Sequence, residues 1–70
     1  MMPLSMARVG EKNCIQRITG KDEVRHHLAE LGFVAGGEVT VVSEAHGNMI
    51  LSLKGSRIAL DKTMANRIII

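Results

Sequence analysis

Val24, Leu28 and Leu31 recur at helical spacing with polar residues between them, and they predict one short amphipathic helix. His27 lies beside this narrow stripe and is read as an edge-of-core residue. Gly32 supplies the left-handed position that closes a helix, and Phe33 then falls where it packs back onto Leu28, as in a Schellman motif. At the other end, Thr19 or Asp22 is read as the cap, with Asp22 and Glu23 favourable at the positive end of the helix. After Gly36-Gly37 the period changes to two: Val39 and Val41 share one face, Thr40 and Val42 the other. His46-Gly47-Asn48 reads as a turn in which Gly47 and Asn48 take positive φ. Met49, Leu51 and Leu53 then point inward, Gly55-Ser56 reads as a Gly-X hairpin loop of type II′, and Ile58 and Leu60 return along the core face.

Upstream, Leu4 to Val9 reads as a lead-in that rests Leu4 and Met6 on the outside of the core, and Gly10 to Asn13 as a turn. Cys14 to Thr19 is a strand in which either face carries an apolar residue, so its buried side stays open. Asp61 to Asn66 reads as one helical turn and Arg67 to Ile70 as a closing strand. The fold class is therefore mainly β: a small SH3-like barrel of about five strands, with one short α-helix between the first and second strands, as a single domain over residues 1–70. The Ile68-Ile69-Ile70 triplet must be paired, either inside the barrel or across a homodimer interface, because an open apolar edge invites aggregation.

Composition narrows the function classes. Seventy residues lie near the lower limit for a self-sufficient core, and with Phe33 the sole aromatic that core is aliphatic. Nine Lys and Arg against seven Asp and Glu give a net charge of +2. The cations are scattered, and stacking aromatics are nearly absent, which argues against nucleic acid. Cys14 stands alone, which excludes an internal disulfide and a cysteine-based metal cluster. No stretch approaches the ~20 apolar residues of a membrane span or the apolar core of a signal peptide. The expectation is a cytoplasmic protein without direct membrane insertion.

The chemistry-bearing residues do not form a catalytic set. His26 and His27 are neighbours, so on a helix they project about 100° apart and cannot share one metal ion. His46 lies in a distant turn. No metal site is assigned, and no cofactor; His26 and His46 remain as secondary candidates for weak Fe2+ or Zn2+ binding beside a carboxylate. Cys14 reads as a small buried hydrophobe, with nothing to supply a base or an oxyanion hole. Gly32, Gly36 and Gly37 follow a helix and precede a strand, the reverse of a phosphate-binding loop. Met6 and Met64 are the methionines read as surface residues. A barrel this small cannot bury all its apolar side chains, so the helix and the turn after it are read as the contact surface: Arg25, Leu28, Phe33 and Val34.

The stretch from Val24-Arg25 through Leu28-Ala29-Glu30-Leu31-Gly32-Phe33-Val34-Ala35-Gly36-Gly37-Glu38-Val39 resembles the signature of the FeoA family. Gly10-Glu11, Ile18-Thr19-Gly20, Arg57-Ile58-Ala59-Leu60 and Ala65-Asn66-Arg67-Ile68 extend the resemblance along nearly the whole chain. Departures are Ala35 where proline is usual, Asp61 where a basic residue is usual, and Ala7 and Val9 where Leu and Pro are common. The resemblance implies a non-enzymatic SH3-like domain that supports ferrous iron uptake by acting on the cytosolic GTPase domain of a FeoB-type membrane transporter. The same domain type occurs at the C-terminus of iron-dependent repressors. The alternatives are a metal-responsive or a nucleic-acid-binding SH3-like module.

Overall fold

A computed structural model describes residues 1–70. Its elements are a 3-10 turn (Leu4–Met6), β1 (Lys12–Cys14), β2 (Arg17–Ile18), α1 (Asp22–Leu31), β3 (Glu38–Ala45), β4 (Asn48–Leu53), β5 (Ser56–Asp61), α2 (Lys62–Ala65) and β6 (Ile68–Ile69). The strands form an antiparallel four-stranded sheet in the order β1-β3-β4-β5 and a two-stranded sheet of β2 and β6. The architecture is SH3-like and mainly β, as expected, but the strands do not close into a continuous ring.

The expected first strand is two strands, and this settles its buried face. Chain pairing switches at Ile15-Gln16: the Ile15 N–H donates to the Gly37 carbonyl at 2.8 Å, whereas the next N–H, of Gln16, donates to the Ile69 carbonyl at 2.7 Å. Strict alternation is lost at the switch, so Ile15 and Ile18, three apart, both turn toward the core while Cys14 and Gln16 are exposed. Cys14 is thus a surface thiol, not a buried hydrophobe. The helix consequently follows the second strand instead of the first.

α1 ends as its sequence requires. Gly32 adopts φ 106° and ψ 3°, its N–H bonds the Ala29 carbonyl at 2.9 Å, and the Phe33 N–H bonds the Leu28 carbonyl at 3.0 Å. These are the paired bonds of a Schellman closure, and Phe33 and Leu28 both belong to the buried cluster. The amino end differs from expectation. Lys21 holds the cap position and no side chain caps the helix, so neither Thr19 nor Asp22 does so; Asp22 and Glu23 do lie in the first turn. The apolar stripe of Val24, Leu28 and Leu31 is too narrow to include His27, which is exposed.

Thirteen buried residues make one aliphatic core around Phe33, fed by Val39 and Val41 from β3, Met49, Leu51 and Leu53 from β4, and Leu60 from β5. The first hairpin turns within the expected His46-Gly47-Asn48, with positive φ at His46 and Gly47 instead of Gly47 and Asn48, and the second turns one residue before the expected Gly55-Ser56. His46-Gly47 and Lys54-Gly55 are the two-residue loops, with φ of 54° and 80° in the first and 51° and 81° in the second. A positive φ at both loop positions is the type I′ geometry that matches strand twist, which explains why a non-glycine residue accepts it at the first of each pair. Leu4, expected outside, is fully buried, so the lead-in is a lid on the core. α2 is capped by Asp61, whose Oδ1 accepts from the Met64 N–H at 2.7 Å.

The Ile68-Ile69-Ile70 segment is paired on both sides within the chain. β2 takes one edge; on the other, Met2 and Ile70 exchange N–H to carbonyl bonds of 3.0 and 2.8 Å, and Pro3 bridges Ile69. A homodimer built on that edge would have to displace Met2 and Pro3.

Candidate docking surface

The predicted contact set divides between surface and core. Arg25 is exposed on α1, its guanidinium paired with the Asp22 carboxylate one turn earlier. Val34 is exposed in the turn that follows the helix. Leu28 and Phe33 have no accessible surface, so a partner cannot touch them in the folded protein. Their role is to fix the direction in which the chain leaves α1, and so to present Val34.

That turn is held firmly. The Gly37 N–H donates to the Val34 carbonyl at 3.0 Å, and the Gly36 N–H donates to the Ile15 carbonyl at 2.8 Å, pinning the loop to the strand switch. A Cβ on Gly37 would lie 3.1 Å from the Val34 carbonyl oxygen, so Gly37 is needed for this close approach. Along α1, Asp22, Arg25, His26 and Ala29 line an open depression of about 460 Å³. Beyond α1, Met6 and Val9 add exposed apolar area in the lead-in. Met6 is therefore a surface methionine, while Met64 packs against the core.

The ligand-type side chains are dispersed. His26 lies in the depression, His27 beside it on the helix, His46 in the β3–β4 turn and Cys14 on β1, and no three His, Cys, Asp or Glu side chains gather where they could hold a metal ion. The Cys14 Sγ meets the Ile15 carbonyl at 3.9 Å, a long contact for a weak donor. No helix is long and apolar enough to cross a membrane. Val9 is exposed in the lead-in, where no periodic pattern marks it.

Two small sheets around an aliphatic core, with short turns and an exposed helix, define an SH3-like module. The FeoA domain family matches residues 2–70, and the chain belongs to that family. A relative from Methanocaldococcus jannaschii, whose curated name assigns it provisionally to Fe(2+) transport as protein A, is 30% identical over 70 residues, covering 100% of this chain and 85% of the relative. A crystal structure of FeoA, described as an iron uptake regulatory protein, superposes with a TM-score of 0.88 at 33% identity, covering 96% of this chain and 89% of that one. Stenotrophomonas maltophilia FeoA in complex with zinc, described as a prokaryotic SH3 domain protein, gives a TM-score of 0.86 at 25% identity, with coverage of 99% and 88%.

Proposed function

We propose that this protein is a cytoplasmic accessory module of ferrous iron uptake that docks on the cytosolic GTPase domain of a FeoB-type transporter. The observation that carries the reading is the FeoA family match along residues 2–70. The Methanocaldococcus jannaschii relative, named for Fe(2+) transport, and the Stenotrophomonas maltophilia protein, described as a candidate ferrous iron transport activating factor, support it. The action is binding, not catalysis. Docking that favours one conformation of the GTPase domain shifts its population by the difference in affinity for the two states. Arg25 and Val34 are the members of the predicted contact set that a partner can reach.

The test is a titration of the purified protein against the transporter's cytosolic domain, with and without GTP. Saturable binding is the expected outcome. Absence of binding up to high micromolar concentration in both nucleotide states refutes the reading. The Stenotrophomonas maltophilia relative is described in complex with zinc, and in this chain the candidates for weak metal binding, His26 and His46, stand on separate elements.

A further inference from the structure

The cations of this chain are unevenly used. Lys12, Arg25 and Lys62 are each paired with a carboxylate, of Glu38, Asp22 and Glu44 respectively. Of the six cations without a carboxylate partner, Arg17 and Arg67 are brought together by the β2–β6 pairing, with Lys21 just beyond its end. In the β2–β6 pair Ile18 stands opposite Ile68, which is fully buried, so these two face the core. Alternation then turns Arg17 and Ile69 to the outer face, and Thr19 and Arg67, one residue past the strand ends, continue the pairing. Arg17 is opposite Ile69, and the Thr19 N–H donates to the Arg67 carbonyl at 2.7 Å, which continues the register. Arg17 and Arg67 are therefore diagonal neighbours, about 7–8 Å apart and somewhat closer at Cβ, within reach of long side chains. Ile69, half-buried, lies beside them, and Lys21 follows Thr19 at the amino end of α1.

Arg67 is also held in place along its stem. A Cβ on Gly20 would lie 3.4 Å from the Arg67 Cδ and 3.7 Å from its Nε, so the stem runs over the glycine. A guanidinium whose stem is already packed loses less freedom on binding. No acidic residue occurs between Lys12 and Lys21 or between Lys62 and Ile70. The nearest carboxylates in sequence are Asp22, engaged by Arg25, and Glu23, in the first turn of α1.

We propose that the outer face of the β2–β6 sheet, formed by Arg17, Arg67 and Ile69 with Lys21 beyond its end, is a docking surface for an acidic protein segment that also carries an aliphatic side chain. Each planar guanidinium can donate paired N–H bonds to a carboxylate, and Ile69 beside them offers an apolar seat. Three cations without an aromatic platform suit a short acidic segment better than nucleic acid, which needs more phosphate contacts and bases to stack. The inference rests on the binding-module reading and adds the chemistry of the partner.

The probe is a short Glu-rich peptide with a central Leu, added to isotope-labelled full chain and followed by amide chemical shifts. Saturable shifts confined to Arg17, Thr19, Gly20, Lys21, Arg67 and Ile69 are expected, weakening as ionic strength rises from about 0.01 to 0.15 M. Arg17→Glu with Arg67→Glu should lower the affinity at least ~10-fold, and Arg17→Gln alone, which leaves the Arg67 packing intact, should lower it by less. An unchanged amide spectrum away from the face confirms that each variant folds. Shifts elsewhere, no saturation, or equal binding by the double variant overturns the proposal, as does stronger binding of a DNA duplex or anionic vesicles at this face. The same variants titrated against the transporter's cytosolic domain separate the two readings. Unimpaired binding there refutes this surface and leaves the function standing, whereas peptide binding without transporter binding does the reverse.

Discussion

Replacing Gly32 by alanine tests how α1 hands the chain to the Val34 turn. At φ 106° an L residue is strained, which costs about 1–2 kcal/mol by the usual penalty for left-handed backbone. The added Cβ would also lie 2.9 Å from the Leu53 Cδ2, too close for any real contact. Leu53 is buried in the core and can yield only by leaving its rotamer, a further cost of about 0.5–1.5 kcal/mol. Loss of unfolded-state freedom gives back about 0.4–1 kcal/mol. Gly32→Ala should therefore cost about 0.5–3 kcal/mol net, against the ~4–10 kcal/mol expected for a chain of this size. At about 4–8 °C per kcal/mol, the melting temperature should fall by roughly 2–25 °C. Gly36→Ala is the control: φ is 87° and nothing lies within 4 Å of the built Cβ, so only the backbone cost applies. Urea unfolding of the two variants with a common m-value isolates the Leu53 clash as their difference. Equal destabilisation within about 0.3 kcal/mol would show that the Leu53 contact carries no cost and refute the reasoning.

Leu28→Ala should destabilise by about 2–5 kcal/mol in denaturant unfolding, while the fraction that stays folded binds the transporter domain normally, because the side chain is core and not contact. Val34→Asp should do the opposite, changing stability by no more than about 0.5 kcal/mol while weakening transporter binding in calorimetry. Asp61→Ala removes the cap on α2 and should cost about 0.5–2 kcal/mol, with faster amide exchange beginning at Met64. Deleting Met1 to Pro3 exposes the second edge of β6; Ile70 should exchange its amide faster, and light scattering should reveal concentration-dependent association.

The parts of the fold legible in sequence are those governed by local rules. The Val24, Leu28 and Leu31 spacing located α1, and Gly32-Phe33 located its closure, because helix period and capping act over a few residues. The alternation of Met49, Leu51 and Leu53 likewise located β4 and its buried face. What escaped is decided at long range. The Ile15-Gln16 switch exists because one strand must serve Gly37 and Ile69 in turn, and no local pattern announces two partners. The strand registers fix which pair is left over in each hairpin, so the second loop is Lys54-Gly55 and not Gly55-Ser56, and His46 and Lys54 accept positive φ to suit them. A small core suggests surplus apolar area, yet Leu28 and Phe33 are wholly inside it. Leu4 folding inward shows that the lead-in covers more than its sequence implied.

The hydrogen bonds between Met2 and Ile70 place the chain's entry and exit side by side. A polypeptide that arrives and leaves at one point can be spliced into the surface loop of another protein without stretching either, and tolerates relocation of its termini. This fold is therefore a portable cassette: a short tether suffices to deliver it, with α1 and both sheets intact, beside whatever domain it is joined to.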